Sequence, residues 1–367
     1  MTDSHDVLAR MRETMAQRDL ADANTAALLM VSGGSDSTAL AYLAAELRDA
    51  GELKEVAMLH VNHQLRGADA DADAAFVEQL AAALGIPLFM CAIDIAGEAE
   101  RTHDNVEAVA RRERYIAANE ALSSMCEHTA TRRADGRIFV AHTADDRAEN
   151  FYMRSIVGTG PGGFRSMRYR NGDVARPLLD IPREDLRTYI EERAAAGQPV
   201  VRDGEGALWR EDATNAHTDR FRAYVRANMV PPAKEWNPAL LDVLTRSMNL
   251  IAEEDDMLDA MADDLIAKDV DPLQDEGFLL RPDFGTQPRP LQRRAVRSLL
   301  KRMLGADERI DAASVEAVLD GFAPADAGGA PNSGYVTNIQ GDLAVSANKH
   351  GVRVEPMAAF RARRKRG

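Results

Sequence analysis

Cysteine is nearly missing from this chain. Cys91 and Cys126 are the only two among 367 residues and form no CxxC pair, so neither a disulfide framework nor a thiolate metal site is expected. Cys91, inside the apolar run LFMCAI, reads as a buried strand residue, and a reducing, cytoplasmic setting fits. Basic residues are in deficit: 45 Lys and Arg stand against 59 Asp and Glu, a net charge of −14. That balance excludes a surface that attracts nucleic acid everywhere, so an RNA partner would need local basic patches. No apolar stretch approaches the roughly 18 residues of a membrane span, and the N-terminal MTDSHDVLARMRETMAQRDL mixes charges without an apolar core. Neither a membrane partner nor a signal peptide is expected. There is no internal repeat, and histidine spacings of the HEXXH or HxCHD kind are absent, which argues against a histidine metal site. What remains is a globular chain, 45% hydrophobic, long enough for two domains or three.

The most informative stretch is residues 28–40, LLMVSGGSDSTAL. An apolar run stops at Ser32, passes Gly33, Gly34, Ser35, Asp36 and Ser37, and resumes as helix-favouring Thr38, Ala39 and Leu40. This predicts strand, tight loop and helix start. The first backbone N–H groups of a helix lack internal partners and carry the positive end of its dipole, so such a loop can hold a phosphate. Glycines let the backbone approach closely, and serine hydroxyls add donors. The plainer reading is a Ser/Gly turn between two core elements. No Gly-Lys-Ser or Gly-Lys-Thr ending follows, so this is not the ordinary P-loop. It resembles the SGGxDS loop of the PP-loop ATP pyrophosphatases, which cleave ATP between the α and β phosphates.

Strands and helices alternate downstream. Residues 56–61 (VAMLHV), 88–95 and 138–141 read as further strands, and 39–48, 69–84 and 105–122 as helices. The expected fold class is α/β, a doubly wound parallel sheet with the phosphate loop at the end of its first strand. A small helical domain and a short β-containing C-terminal segment should follow. Boundaries are expected at 1–232, 233–327 and 328–367, with Pro231 and Pro232 marking the first. The acidic residues 253–276 read as a solvated helix face. Ligands in such sheets sit beyond the carboxyl ends of the strands, and the polar clusters 32–37, 60–66 and 142–146 all follow strands.

Three clusters carry candidate chemistry. HVNHQLR places His60, His63 and Arg66 at a strand end, either to hold phosphates or as a capped loop. NVEAVARRERY places Asn105, Ala108, Arg112 and Tyr115 near one helix face, with Arg111 and Arg114 beside it. That face can meet a phosphate backbone, but a solvated ion-pair surface is the commoner use of such a run. HTADDRAEN sets Asp145 and Asp146 where a helix begins, as caps, or as ligands for magnesium or an ammonium group.

The order SGGSDS, HVNHQLRGADADADAAFVEQLAAALGIPL, NVEAVARRERY, AHTADDRAEN, GTGPGGF, ARPLL and WREDATN resembles the tRNA(Ile)-lysidine synthetases, densely over residues 28–226. Arg147, Asn150 and Val157 depart from that family's usual Gln, Thr and Arg. The resemblance implies a ligase with two steps: ATP adenylates the C2 oxygen of the wobble cytidine of an isoleucine tRNA with a CAU anticodon, releasing pyrophosphate, then the amine of free L-lysine attacks C2 and displaces AMP. Ser32, Gly33, Gly34, Ser35, Ser37 and His60 would bind ATP, and Asp36 would hold Mg2+. Asp36, Asp145 and Asp146 would be catalytic, with one of the latter two binding the lysine ammonium or a second metal ion. Asn62, His63, Arg66, Asn105, Glu107, Arg111, Arg112, Arg114, Tyr115, His142, Arg220, Arg226, Arg293 and Arg294 would bind substrate or tRNA. Two rivals remain. A tRNA thiolase would need a placed cysteine pair, and a silent tRNA-binding protein would lack Asp36 or the aspartate pair.

Overall fold

The computed structural model describes residues 6–62, 68–211, 221–274, 276–305 and 308–366. They form two compact units, Met1–Asn249 and Leu250–Gly367. The first is built on a six-stranded sheet. Its strands are β1 (Ala26–Met30), β2 (Glu55–Asn62), β3 (Leu88–Ala92), β4 (Gly136–Phe139), β5 (Arg170–Asn171) and β6 (Val174–Ala175), in the order β3-β2-β1-β4-β6-β5. All neighbours run parallel except β5 with β6. The α/β, doubly wound arrangement is therefore present.

Both faces of the sheet are covered, and the side-chain alternation of β1 shows how. Ala27 and Leu29 face a core made with α1 (Val7–Gln17), α2 (Ser35–Asp49), α3 (Ala68–Leu84) and α7 (Arg183–Ala195). Ala26 and Leu28 face the other side, against α5 (Val106–His128). A strand buried on both faces reads as a continuous apolar run, which is why 26–31 shows no polar alternation. Full burial of Leu28 and Leu29 contributes about 1.5–3 kcal/mol each. Helix α2 is itself buried at every residue from Ser37 to Ala45, so the loop at its start rests on a rigid base. The strand starting at residue 88 ends at Ala92 rather than Ile95, because Asp94 caps a further helix, α4 (Ile95–Thr102).

The remaining helices of this unit are α6 (Ala144–Val157), α8 (Phe221–Asn228) and α9 (Val230–Trp236). Pro231 and Pro232 lie inside the first turn of α9, where the missing N–H groups cost nothing, so they start a helix and do not end the unit. Helix α10 (Leu240–Asp269) runs across the boundary at 249/250.

The second unit holds a five-stranded antiparallel sheet, β7 (Val270–Pro272), β8 (Phe278–Leu280), β9 (Val336–Ile339), β10 (Leu343–Asn348) and β11 (Gly351–Pro356), in the order β7-β8-β11-β10-β9. The β segment expected late in the chain thus shares its sheet with strands at 270–280. Its core draws on α11 (Arg289–Leu304) and α12 (Ala312–Leu319), and α13 (Met357–Arg366) closes the segment. The acids of α10 are not all solvated. Asp255 is buried against Arg294, Asp259 pairs with the same arginine at 2.6 Å, and Asp263 pairs with Arg302 at 3.0 Å, because residues four apart share a helix face.

Candidate active site

The loop Ser32–Ser37 leaves β1 and enters α2 through Gly34, an N-cap without a side chain, so no capping oxygen screens the helix start. Ser37 Oγ sits within 3.2 Å of both Ser32 N and Ser32 Oγ, and donates to the Gly34 carbonyl at 3.1 Å. Thr38 Oγ1 donates to the Gly33 carbonyl at 3.2 Å. Gly33 has φ +92°, and a Cβ there would meet Arg210 Cγ at 3.4 Å and Phe76 at 3.5 Å. We expect Gly33→Ala to cost about 1–2 kcal/mol through left-handed strain. It should also weaken nucleotide binding more than it lowers the melting temperature; a thermal melt and a nucleotide titration check this together, and unchanged nucleotide affinity would count against the loop as the phosphate site. Behind the loop, Arg210 N–H donates to the Gly33 carbonyl at 2.9 Å, and its guanidinium is held by Asp73 and Asp203, both at 3.0 Å.

The strand-end carboxylates come together around one cation. Thr143 caps α6, and Asp146 returns the bond: Oδ2 accepts from Thr143 N at 2.8 Å and from its hydroxyl at 3.1 Å, a capping box. The cap reading of Asp146 holds, and its other oxygen, Oδ1, faces inward to Arg222 at 2.7 Å and Arg183 at 3.4 Å. The same Arg183 donates through Nε to Asp36 Oδ2 at 2.8 Å and lies 3.7 Å from Glu149. Glu149 is also gripped by Arg222 at 2.7 Å and Arg226 at 2.6 Å. Asp145 accepts the Arg183 backbone N–H at 2.8 Å and the Lys234 ammonium at 2.8 Å. Asp36 and Asp146, 110 positions apart in sequence, are thus bridged by one guanidinium.

Arg183 reaches this place because the turn before α7 is stitched to α6. Ala144 N–H donates to the Ile181 carbonyl at 3.0 Å, and buried Arg147 holds Asp180 at 2.7 Å together with Tyr169 at 3.0 Å and Asn249 at 2.8 Å. Electrostatics divides the two central acids. Burial pushes the Asp36 carboxyl above the usual carboxylate range despite Arg183. Burial also opposes ionisation of Asp146, but Arg183 and Arg222 overcome it and hold that group below the usual range.

The other expected residues divide three ways. His60 is buried with Nδ1 2.9 Å from the Val31 carbonyl, which is the structural reading of that histidine. Asn62 ends β2. Asn105 caps α5, accepting from Glu107 N at 2.8 Å, so it precedes the helix it was expected to lie on. Arg112 is matched on the surface by Asp104 and Glu113, both at 3.0 Å, as an ion-pair face would be. Arg114 is exposed. Arg111 lies over the Tyr115 ring, 5.2 Å from its centroid, and His142 accepts through Nδ1 from Arg176 Nε at 3.2 Å. Burial drives His142 down to about 4, so it is neutral near pH 7. Arg293 and Arg294 lie in the second unit, paired with Glu316 and with Asp255 and Asp259. His63, Arg66 and Arg220 lie outside the described residues, as does part of WREDATN.

Arg183, Glu149, Lys234 and Arg176 were not anticipated as site residues, and Arg222 only as one charge within a basic segment. Glu149 could have been found, since it follows Asp145 and Asp146 at spacings of four and three on one helix. Nothing local marks Arg183, whose partners are distant in sequence.

A PP-loop domain family matches residues 4–233. Among curated proteins, the tRNA(Ile)-lysidine synthase of Thermus thermophilus is 35% identical over 282 residues, covering 75% of this chain and 48% of that protein. The protein of the same name from Geobacter sulfurreducens is 28% identical over 316 residues, covering 85% and 62%. The chain therefore spans about half to three fifths of the length of these relatives. Among solved structures, the U34-tRNA thiolase NcsA from Methanococcus maripaludis is similar at TM-score 0.48 and 18% identity, covering 68% of this chain and 78% of that one.

Proposed function

The chain belongs to the PP-loop domain family, and from that premise we propose that it forms lysidine on the wobble cytidine of an isoleucine tRNA with a CAU anticodon, using ATP and free L-lysine. The observation that carries this is Arg183, which bridges Asp36 in the phosphate loop to Asp146 at the end of β4 and so makes one site of the two halves. An adenylating enzyme needs that union, because the C2 oxygen of the base first attacks the α-phosphorus of ATP, releasing pyrophosphate, and the amine then attacks C2 of the same base, releasing AMP.

In this reading Ser32, Gly33, Gly34, Ser35 and Ser37 receive the ATP phosphates at the start of α2, where backbone N–H groups and the helix dipole favour anions. The target base leaves its stack and enters over the strand ends, bounded by Arg111, Tyr115 and His142. Asp145 takes an ammonium group; its ion pair with the Lys234 ammonium at 2.8 Å supports that role. Arg66, Arg220, Arg226, Arg293 and Arg294 remain candidates for the RNA surface. A cytoplasmic location fits this reaction; among the described residues no helix is long and apolar enough to cross a membrane.

The donor set fits Mg2+, a hard cation that takes one or two carboxylates and completes its shell with substrate phosphates and water. Asp36 and Asp146 would hold it, in place of the guanidinium that now lies between them. When bound, it neutralises charge on the departing pyrophosphate. Among the described residues no group of three or more metal-ligating side chains forms.

Purified protein with ATP, Mg2+ and labelled lysine should label the CAU-anticodon isoleucine tRNA. Absence of label with folded protein, or equal labelling of methionine tRNA, would sink this reading. A thiolase would instead require sulfur transfer, and Cys126 is buried while Cys91 is half-buried in β3.

A further inference from the structure

Arg176 differs from the other deeply buried arginine of the first unit. Buried Arg147 holds Asp180, and the half-buried Arg183 is gripped by Asp36 and Asp146. Arg176 is 7% exposed, yet among the described residues no carboxylate lies within ion-pair distance of it. Its Nε donates to His142 Nδ1 at 3.2 Å, and its Nη1 donates to the Arg168 carbonyl at 2.8 Å. Burial disfavours its charge, the Tyr115 phenol offsets part of this by accepting a hydrogen bond from it, and Arg111, of the same sign, lies over the Tyr115 ring and repels it. A guanidinium cannot shed its proton near neutral pH, so burial without a counter-charge is costly unless an anion arrives to match it.

The position is that of a ligand site. Arg176 follows β6 directly and His142 follows β4, so both stand at carboxyl ends of neighbouring parallel strands, the edge where open α/β sheets bind ligands. The phosphate loop ends β1, the next strand but one. At a spacing of about 4.8 Å per strand, that sets the Arg176 backbone roughly 10 Å from the loop. His142 adds direction, since its Nδ1 lone pair is taken by Arg176 and the neutral ring therefore carries its proton on Nε2 as a donor.

We propose that Arg176, with Arg111 and His142, forms a second phosphate subsite at the carboxyl edge of the sheet, matched to a phosphodiester of the RNA beside the target nucleotide. This rests on the RNA-modifying reading above, and the same chemistry could be met by a phosphate of ATP, so both sources are tested. Binding of a CAU anticodon stem-loop and of ATP is measured for the wild type, Arg176→Gln and Arg176→Lys over a range of salt, with a thermal melt of each. Arg176→Gln should weaken stem-loop binding about tenfold and lower the slope of log affinity against log salt by about 0.7–1, the loss of one phosphate contact. Arg176→Lys, which keeps the charge, should restore most of the slope. A loss confined to ATP binding keeps the subsite and assigns its phosphate to the nucleotide. Unchanged affinities and slopes for both ligands, with a lowered melting temperature, make Arg176 a structural tie and overturn the proposal. If wild-type protein neither binds nor labels RNA, the function proposed above falls, and the ATP arm still decides the subsite.

Discussion

Asp36→Asn is expected to reduce AMP transfer from ATP to tRNA on the order of 10³-fold, the scale seen when one preorganised electrostatic group is removed from a reacting centre. RNA affinity should change by no more than about twofold, because Asp36 lies in the loop proposed to hold phosphates and not among the arginines proposed to face RNA. The melting temperature should not fall. Burial raises the folded-state pKa of Asp36 above its unfolded value, so its contribution to stability is fully present below the unfolded pKa, near 3.9, and is lost as pH rises through the folded one. At pH 7 the ionised carboxylate is therefore a net burden, which the neutral amide removes while keeping the shape. A variant that transfers AMP at the wild-type rate would refute the role given to Asp36, and a lowered melting temperature would refute this account of its burial.

The second large effect concerns the cation rather than the acids. Arg183→Ala leaves Asp36, Asp146 and Glu149 facing one another, with Arg222 and Arg226, among the described residues, to match the latter two. Removing one partner of a buried ion pair costs about 3–5 kcal/mol, and the two remaining arginines place this site at the low end. For a unit of this size roughly 3 kcal/mol corresponds to a melting temperature lower by about 8 °C at pH 7.5. The pH dependence carries the diagnosis. In the wild type, Asp146 sits below its unfolded pKa, so its contribution is present above that pKa and lost as pH falls through the folded value. In Arg183→Ala the buried acids shift upward, so stability is regained as pH falls, and the gap between variant and wild type should narrow between pH 8 and pH 5. A gap of constant size would mean that Arg183 acts by packing alone.

How much of this was legible in sequence depended on distance along the chain. The strand–loop–helix at 26–49 was readable because an apolar run, two glycines and a helix start are all local signals. Asp145 and Asp146 were readable as a helix start for the same reason, and Asp146 serves both the capping box and the arginines because one carboxylate has two oxygens. Arg183 was not readable: it lies 147 positions from Asp36, and its approach depends on β6, a strand of two residues that no periodicity can reveal. Pro231 and Pro232 start α9, since proline stops a preceding helix and starts the next one equally well. The acids of α10 misled because a charge run says nothing about whether a basic helix lies across from it, and α11 supplies Arg294 and Arg302 there.

The reciprocal bond between Thr143 and Asp146 has a consequence for how this protein can be altered. One oxygen of Asp146 secures the first turn of α6 and the other meets the arginines, so the side chain cannot rotate to offer both oxygens to an incoming cation. Position 146 is a one-directional ligand by construction. It also follows that no substitution there has a purely kinetic phenotype: asparagine can keep the cap and lose the charge, while glutamate keeps the charge and displaces the cap. Rates measured on such variants have meaning only well below the temperature at which α6 begins to fray.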